Sequence, residues 1–209
     1  SKMSFPNNNH KDLDQFLSGY AQEISDGFNG IDRTELLKVA NLMDQKIKNG
    51  NKIFSCGNGG SSAISEHFVC DFLKGASTDT DVKPIIHSLS SNTPTLTAVA
   101  NDISYEDVFS FQLSQYASED DILICISSSG NSPNILKSIE CAKEIGMKTI
   151  SFVGFDGGRA KEASDFCIHI KTNNYGIAED IHHSLMHILA QFIRLTNLEK
   201  SKNPENIKF

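Results

Sequence analysis

The stretch between residues 122 and 145 restricts the possible folds more than any other part of the chain. It begins with Ile-Leu-Ile-Cys-Ile at 122–126, an unbroken apolar run that is typical of a strand buried on both faces. Pro133 suits the first turn of a helix, Ser132 can cap that helix, and apolar residues continue at helical spacing as far as Ile145. The pattern predicts a buried strand that leads through a tight turn into a helix.

The turn itself, Ser-Ser-Ser-Gly-Asn-Ser at 127–132, places four hydroxyl groups near the N-terminus of that helix. Backbone N–H groups are free there, the helix dipole attracts negative charge, and Gly130 permits close approach of a ligand. A single serine would be explained by capping alone, as in an ordinary strand-to-helix turn. Four serines in this turn favour a site for a dianion such as a phosphate monoester.

Further apolar segments alternate with helical patterns along the chain. Strands are expected at 52–56, 84–89, 148–153 and 166–170. Crossovers of this length join parallel strands, so the sequence predicts an α/β fold, a three-layer sandwich with helices on both faces of a five-stranded parallel sheet. Ligands bind such sheets at the carboxyl ends of the strands, where the loops after residues 56 and 126 both lie.

Two amphipathic helices, at 9–27 and 32–47, are predicted before the first strand. Their apolar surface is larger than a helical hairpin can hide, so we expect them to pack against the rest of the chain and against another subunit. The expected organisation is a helical oligomerisation segment at 1–50, an α/β domain with a long C-terminal helix at 51–199, and a polar, frayed tail at 200–209.

Charge and cysteine usage narrow the possible partners and compartment. Lys and Arg total 19 against 26 Asp and Glu, and no helix carries a basic stripe, which argues against nucleic acid and anionic membranes as partners. No apolar run approaches the roughly 20 residues needed to cross a bilayer. The five scattered cysteines show no metal-ligand spacing, so free thiols and a cytoplasmic location are expected.

The first predicted strand is followed by a glycine-rich loop, Gly-Asn-Gly-Gly-Ser at 57–61. Its spacing differs from G-x-G-x-x-G, and no acidic residue ends the second strand to hold a ribose. These differences argue against a nucleotide cofactor and favour a sugar phosphate. A tight turn without a ligand would need fewer glycines.

Histidines and carboxylates are grouped on two predicted helices. His67 and Asp71 are four residues apart on the helix after the glycine loop, so they share one face and could bind a metal ion or act as an acid–base pair. Such a pair taken alone is more often a solvated surface feature.

The last helix carries Glu179, His183 and His187 at intervals of four residues, with His182 beside them. A lone histidine at the edge of the apolar stripe would more often be a satisfied core residue, but three histidines within six residues favour a function. A set of His67, Asp71, Glu179 and His187 would suit Zn²⁺ or a similar divalent ion.

These motifs together resemble the SIS (sugar isomerase) domain family, and specifically its phosphoheptose isomerase branch. The matching stretches cover nearly the whole chain in order. They are Cys-Gly-Asn-Gly-Gly-Ser at 56–61, Ala-Asn-Asp at 100–102, Ile-Ser-Ser-Ser-Gly-Asn-Ser at 126–132, Phe-Asp-Gly-Gly at 155–158 and Glu-Asp-Ile-His-His-Ser-Leu-Met-His at 179–187.

The resemblance implies a flavodoxin-like SIS fold and an aldose–ketose isomerase. Its reaction would convert sedoheptulose 7-phosphate to D-glycero-D-manno-heptose 7-phosphate through an enediol, for the heptose of bacterial lipopolysaccharide or capsule. The resemblance also implies a homotetramer in which the added N-terminal helices form a central bundle and the active sites lie near subunit interfaces.

The resemblance also assigns roles to individual residues. Asp71 falls where the family has its glutamate base and His187 where it has a second acid–base group, although which of the two is the base stays open. The zinc positions are His67, Asp71, Glu179 and His187. The substrate positions are Asn58, Gly59, Gly60, Ser61, Asp71, Asn101, Asp102, Ser127, Ser128, Ser129, Ser132 and Glu179.

Three departures from the family pattern leave the substrate open. Asp71 is one methylene shorter than the usual glutamate, Glu179 replaces a glutamine and adds a negative charge, and Lys74-Gly75 stands where Gly-Arg is frequent. An isomerase for another sugar phosphate is therefore an alternative.

Two non-catalytic alternatives exist among proteins that resemble this family. One is an SIS protein that binds a replication initiator, against which the retained His67, Asp71 and His187 argue. The other is a sugar-phosphate sensor that controls transcription, for which the sequence offers no separate DNA-binding domain.

Overall fold

A five-stranded parallel sheet forms the centre of the protein, for which a computed structural model describes residues 5–9 and 11–209. The strand order is β2-β1-β3-β4-β5, and every neighbouring pair is parallel. The strands are β1 (Lys52–Gly57), β2 (Ile85–Ser88), β3 (Ile122–Ser127), β4 (Lys148–Val153) and β5 (Phe166–His169). The predicted α/β fold with five parallel strands is therefore confirmed.

The described chain also forms eight α-helices, none of which is long and apolar enough to span a membrane. They are α1 (Leu13–Asn29), α2 (Arg33–Lys48), α3 (Gly60–Cys70), α4 (Thr93–Asp102), α5 (Ser110–Tyr116), α6 (Pro133–Ile145), α7 (Gly158–Ala163) and α8 (Tyr175–Thr196). A π-helix (Asp71–Ala76) continues α3, and two short 3₁₀-helices lie at Tyr105–Asp107 and Pro204–Asn206.

Strand β3 is buried over its whole length because the sheet is covered on both faces. Ile122, Ile124 and Ile126 belong to a core shared with α2, α3 and α8. Leu123 and Cys125 point the opposite way, into a second core shared with α5, α6 and α7. This alternation produces the three layers that the apolar run predicts.

The two N-terminal helices pack against the α/β domain, as expected. Helix α2 begins after Asp32, whose carboxylate accepts hydrogen bonds from the Thr34 and Glu35 backbone, and it buries Met43 in the core. Helix α1 packs against α8, and the Tyr20 hydroxyl donates to Asp180. Packing against a second subunit stays a prediction.

The helix after the glycine loop changes its geometry before it ends. Its α-helical part ends at Cys70, and a π-helix continues to Ala76. The Ser77 hydroxyl donates to the Leu73 carbonyl and the Thr78 hydroxyl to the Lys74 carbonyl, which satisfies backbone oxygens at the end of this helix.

The C-terminal tail is also more ordered than predicted. The Arg194 guanidinium, on α8, donates to the Lys208 carbonyl at 2.6 Å and lies 4.6 Å from the centre of the Phe209 ring. Its remaining donors bind the Thr78 carbonyl and the Asp79 carboxylate. The prediction of a frayed tail is therefore wrong, because one nearly buried arginine joins the tail to the loop after the π-helix.

Candidate functional site

The serine turn between β3 and α6 has a backbone that only glycine can complete. Gly130 has a φ of +67°, and a Cβ at this position would lie 2.1 Å from the Gly157 carbonyl oxygen. The Gly130 N–H donates to the Ser127 hydroxyl. Ser132 occupies the N-cap position of α6, but its hydroxyl makes no capping bond, contrary to the prediction. That hydroxyl is therefore available to a ligand.

The serine turn forms one wall of a cavity of about 170 Å³ at the carboxyl ends of the strands. The cavity is lined by Asn58, Ser61, Ile126, Ser127, Ser128, Ser129, Ser132, Tyr175 and Glu179. Four of the predicted substrate-binding serines and two residues of the glycine loop therefore meet at one place.

Helix N-termini converge on this cavity from three directions. Ser61 lies in the first turn of α3, Ser132 caps α6 by position, and Tyr175 is the first residue of α8. Each helix N-terminus carries a partial positive charge. The cavity is consequently suited to an anion, as the sequence predicts.

Ser128 supplies the most specific sign of a missing ligand. Its side chain is buried, and its hydroxyl oxygen has no hydrogen-bond partner within the described part of the chain. Buried hydroxyl groups in native proteins nearly always have a partner. A phosphate oxygen in the cavity would provide one.

Asn58 is fixed in the cavity wall by contacts between two loops. Its side-chain amide exchanges two hydrogen bonds with that of Asn134, at 2.8 and 2.9 Å. The Tyr105 hydroxyl also donates to Asn58 at 2.8 Å. The glycine loop and the start of α6 are thereby held together around the cavity.

Glu179 lies in the same cavity, packed against the start of α3. A Cβ on Gly60 would lie 2.6 Å from the Glu179 Oε1 atom, so a glycine is needed for the carboxylate to occupy this place. Burial raises the pKa of Glu179, and the negative charge of Asp180 adds to that rise. The carboxylate is therefore easier to protonate than usual.

A second group of polar side chains lies further along α3 and α8. The His67 Nε2 atom is 2.9 Å from Asp71 Oδ1, and the His187 Nε2 atom is 3.3 Å from Asp71 Oδ2. The His67 Nδ1 atom is 2.5 Å from the His183 Nε2 atom. We call His67, Asp71, His183 and His187 the histidine cluster.

The structure thus brings together three of the four residues predicted to bind zinc. The fourth, Glu179, lies one turn before His183 on α8 and contacts Gly60 instead. His183, which the sequence analysis left outside the predicted set, takes part in the cluster. The four-residue spacing from Glu179 to His183 and on to His187 places all three residues on one face of α8. That spacing cannot decide whether Glu179 or His183 joins the cluster.

The protonation state of His183 is suited to metal binding. Burial lowers the pKa of His183, and positive charge on His67 and His187 would lower it further. This favours the neutral imidazole, which is the form that binds metals. His67, His183 and His187 each present a ring nitrogen within 4.8 Å of the others.

Asn101 and Asp102 lie apart from both groups among the described residues. They end α4, are exposed, and are joined by a hydrogen bond from the Asn101 amide to the Asp102 carboxylate. Neither lines the cavity, so their contact with a substrate stays a prediction. Gly59, also predicted to contact substrate, has a φ of +56° and precedes the first residue of α3.

Helices α3 and α8 connect the cavity with the histidine cluster. At 1.5 Å of rise per residue, His183 lies about 6 Å and His187 about 12 Å along α8 from Glu179. Ser61, His67 and Asp71 follow one another in the same way along α3 and the π-helix. The cavity and the histidine cluster are thus set apart along the same pair of helices.

Comparison with known proteins places this arrangement in a family. A family model described as the SIS domain matches residues 19–154. The phosphoheptose isomerase of Helicobacter pylori strain P12 is 39% identical over 160 residues, which cover 76% of this chain and 83% of that protein. The phosphoheptose isomerase of Clostridium acetobutylicum is 36% identical over 159 residues, covering 76% and 81%.

Solved structures agree with this result. The structure of a phosphoheptose isomerase from Francisella tularensis superposes with a TM-score of 0.79 at 27% identity, covering 88% of this chain and 96% of the other. A phosphoheptose isomerase from Neisseria gonorrhoeae has the same TM-score and identity, with coverage of 87% and 96%. The chain belongs to the SIS domain family, in its phosphoheptose isomerase branch.

Proposed function

We propose that this protein is an aldose–ketose isomerase that converts sedoheptulose 7-phosphate to D-glycero-D-manno-heptose 7-phosphate. One observation carries the proposal: a buried Ser128 hydroxyl, without a partner among the described residues, lies in a cavity at three helix N-termini. The histidine cluster lies further along two of those helices. A sugar phosphate matches this arrangement, because it carries a dianionic phosphate group and a carbonyl that are separated by several bonds.

The phosphate group of the substrate binds at the serine turn in this proposal. Ser127, Ser128, Ser129 and Ser132 supply hydroxyl groups, and the N-termini of α3, α6 and α8 supply positive potential. Asn58 and Ser61 line the same cavity, where they would contact the sugar hydroxyls.

Proton transfer is assigned to Asp71 and His187. Moving the carbonyl from C2 to C1 requires a base that takes the C1 proton and, in its protonated form, returns a proton to C2. A second group moves a proton between O1 and O2. Asp71 and His187 are 3.3 Å apart, so each can orient the other and pass on a proton. Either one can serve as the base at C1.

A divalent metal ion, for which zinc is the first candidate, is part of the proposal. The donor types of the histidine cluster, imidazole nitrogens with a carboxylate beside them, fit zinc chemistry. A bound ion would supply positive charge that stabilises the enediolate.

We also propose that the protein is a homotetramer. The exposed side chains of Leu37 on α2 and Phe192 on α8 border an apolar cavity of about 220 Å³ between these helices. Leu13 and Leu17 of α1 are exposed as well. The His67 and His187 side chains are about two-fifths exposed, which would allow a second subunit to complete the site.

A role in the bacterial synthesis of lipopolysaccharide or capsule heptose follows from the proposed reaction. The product is an aldose phosphate, and an activating enzyme that consumes such a sugar would have to follow. All five cysteines are free thiols, in keeping with the reducing cytoplasm as the expected compartment.

The test is proton exchange in deuterated water with ketose phosphates of five to seven carbons. We expect deuterium at C1 of sedoheptulose 7-phosphate, and loss of that exchange in His187→Gln while phosphate binding is retained. Exchange only with a shorter ketose would identify an isomerase for another sugar phosphate. Phosphate binding without any exchange would favour the non-catalytic SIS proteins.

A further inference from the structure

We propose that His183 is a metal ligand, so that the metal site of this protein consists of three imidazoles, from His67, His183 and His187, and that Glu179 is not a ligand. The inference rests on the proposed function only in placing a metal ion at this cluster. It replaces the ligand set that the resemblance implied.

The relative positions of the three rings support the proposal. The ring centres of His67 and His183 are 4.7 Å apart, and each lies 5.0 Å from the ring centre of His187. One nitrogen from each ring lies within 4.8 Å of the other two. Ligands of one zinc ion, each about 2.0–2.1 Å from the metal, must converge in this way.

The hydrogen bonds of His67 determine which of its nitrogens can bind a metal. Its Nε2 atom lies 2.9 Å from the Asp71 carboxylate and must carry a proton to donate to it. In the neutral ring the Nδ1 atom then holds a lone pair, and this atom faces His183. A metal-bound histidine commonly donates its other N–H to a carboxylate in this manner.

Asp71 is therefore the residue that orients the imidazoles. One of its oxygens contacts His67 and the other contacts His187. Because aspartate is one methylene shorter than glutamate, the carboxylate stays close to α3 and is occupied by these two rings. With the Asp71 carboxylate occupied in this way, His183 supplies the third imidazole of the cluster.

The position of Glu179 excludes it from this set. Its carboxylate packs against Gly60 and lines the cavity that contains the Ser128 hydroxyl. Glu179, His183 and His187 share one face of α8, so their spacing alone would allow either of the first two to bind the ion. The contacts of His183 with His67 decide between them.

The test compares two single substitutions on that face in the full-length protein. Metal-stripped protein is titrated with Zn²⁺ by calorimetry and with Co²⁺ by visible absorption. We expect one ion per chain, and an affinity in His183→Gln that falls by more than about 100-fold, beyond the 10–100-fold expected for losing a supporting partner. Glu179→Ala is the control on the same helix face, since alanine offers no ligand atom, and it should bind both ions as the unsubstituted protein does.

A second measurement uses no substitution and so does not depend on the folding of a variant. Imidazole ¹⁵N resonances of the unsubstituted protein are followed as Zn²⁺ is added. We expect three rings to show the shift of a metal-bound nitrogen. Two shifted rings would overturn the proposal.

The titrations can also overturn it directly. Loss of metal binding in Glu179→Ala with retention in His183→Gln would support the ligand set implied by the resemblance. Retention in both variants, or no binding by the unsubstituted protein, would equally reject the three-imidazole site. Proton exchange separates the proposals: exchange without metal binding refutes this inference alone, whereas metal binding through His183 without exchange refutes the proposed function alone.

Discussion

The His67 and His183 rings bring their nitrogens to within 2.5 Å of each other across 116 positions of the chain. This contact fixes the register of α3 against α8, because one turn further along the helices Asp71 meets His187. At their N-terminal ends the same helices meet through Gly60 and Glu179. One pair of packed helices therefore contributes both to the cavity at the serine turn and to the histidine cluster.

Replacing Ser128 by Ala should weaken phosphate binding. The hydroxyl is buried in the cavity and has no partner in the part of the chain that the structure describes. Its removal therefore leaves no described protein group unsatisfied and affects the ligand alone. A hydrogen bond to a charged group contributes about 1.5–3 kcal/mol, which corresponds to a rise of about 10- to 100-fold in the dissociation constant. Binding of inorganic phosphate followed by ³¹P NMR measures the effect.

The control for this prediction is Ser114→Ala. Ser114 is exposed on α5, lies away from the cavity, and donates only to the carbonyl of Phe111 among the hydrogen bonds of the described chain. Its phosphate affinity should stay unchanged. Equal affinities in both variants would show that Ser128 does not contact the phosphate.

Replacing Gly130 by Ala should destabilise the protein and distort the serine turn. The new Cβ would lie 2.1 Å from a backbone oxygen of Gly157, and the φ of +67° is unfavourable for alanine. Both effects act on backbone that cannot easily move, so we expect a loss of about 3 kcal/mol or more in the free energy of unfolding. Urea unfolding measures it.

Gly50 provides a matched control that separates the backbone strain in Gly130→Ala from the steric clash of the new Cβ. Its φ is +76°, but nothing lies within 4 Å of a Cβ built there. Gly50→Ala should therefore cost only the backbone strain, about 1–2 kcal/mol. A loss in Gly130→Ala no larger than that in Gly50→Ala would contradict the close approach of the two loops.

Several features of the structure could be read from the sequence because they depend on local pattern. The run at 122–126 is apolar at every position, so both faces of the strand had to be covered, and Leu123 and Ile124 do enter opposite cores. The serine turn could be predicted because hydroxyl groups and a glycine next to a helix start have a chemical meaning by themselves.

Other features depend on partners distant in the chain and could not be predicted. Arg194 holds the tail only because α8 ends beside Asp79 and the last residues return to it. The choice of His183 over Glu179 in the cluster depends on how α3 lies against α8, and both residues have the same spacing on one helix face. Periodicity gives the face of a helix but not its neighbour.

Disrupting the apolar surface of α2 and α8 should dissociate the protein. Light scattering of the unsubstituted protein should give roughly four times the 23.0 kDa chain mass, as expected for a closed assembly. Leu37 is 54% exposed beside an apolar cavity, so Leu37→Glu would place a charge in the proposed interface and lower the mass. Ile103→Glu is the control, since Ile103 is similarly exposed, at 56%, at the end of α4.

A monomeric mass for the unsubstituted protein at micromolar concentration would reject the tetramer. A mass that Leu37→Glu leaves unchanged while Ile103→Glu lowers it would reject the interface on α2 and α8, because the subunits would then meet on the side of α4.

His182 should make the protein less stable in mild acid. Its ring is fully buried, its Nε2 atom donates to the Val153 carbonyl, and burial lowers its pKa from 6.5 to about 4, with a smaller effect from the nearby His169. Below pH 6.5 the unfolded chain binds a proton at this site and the folded chain does not. The free energy of unfolding therefore falls as the pH drops from about 6.5 towards 4.

The expected size follows from the two pKa values. Between pH 7 and pH 5 the difference in proton binding should lower the free energy of unfolding by about 2 kcal/mol. His182→Gln keeps a donor for the Val153 carbonyl but does not titrate. Over the same pH interval, the free energy of unfolding of this variant should therefore fall by about 2 kcal/mol less than that of the unsubstituted protein. Urea unfolding of both proteins, with a chelator present to remove metal effects, gives this difference, and parallel pH dependences would show that His182 is protonated to the same extent in both states.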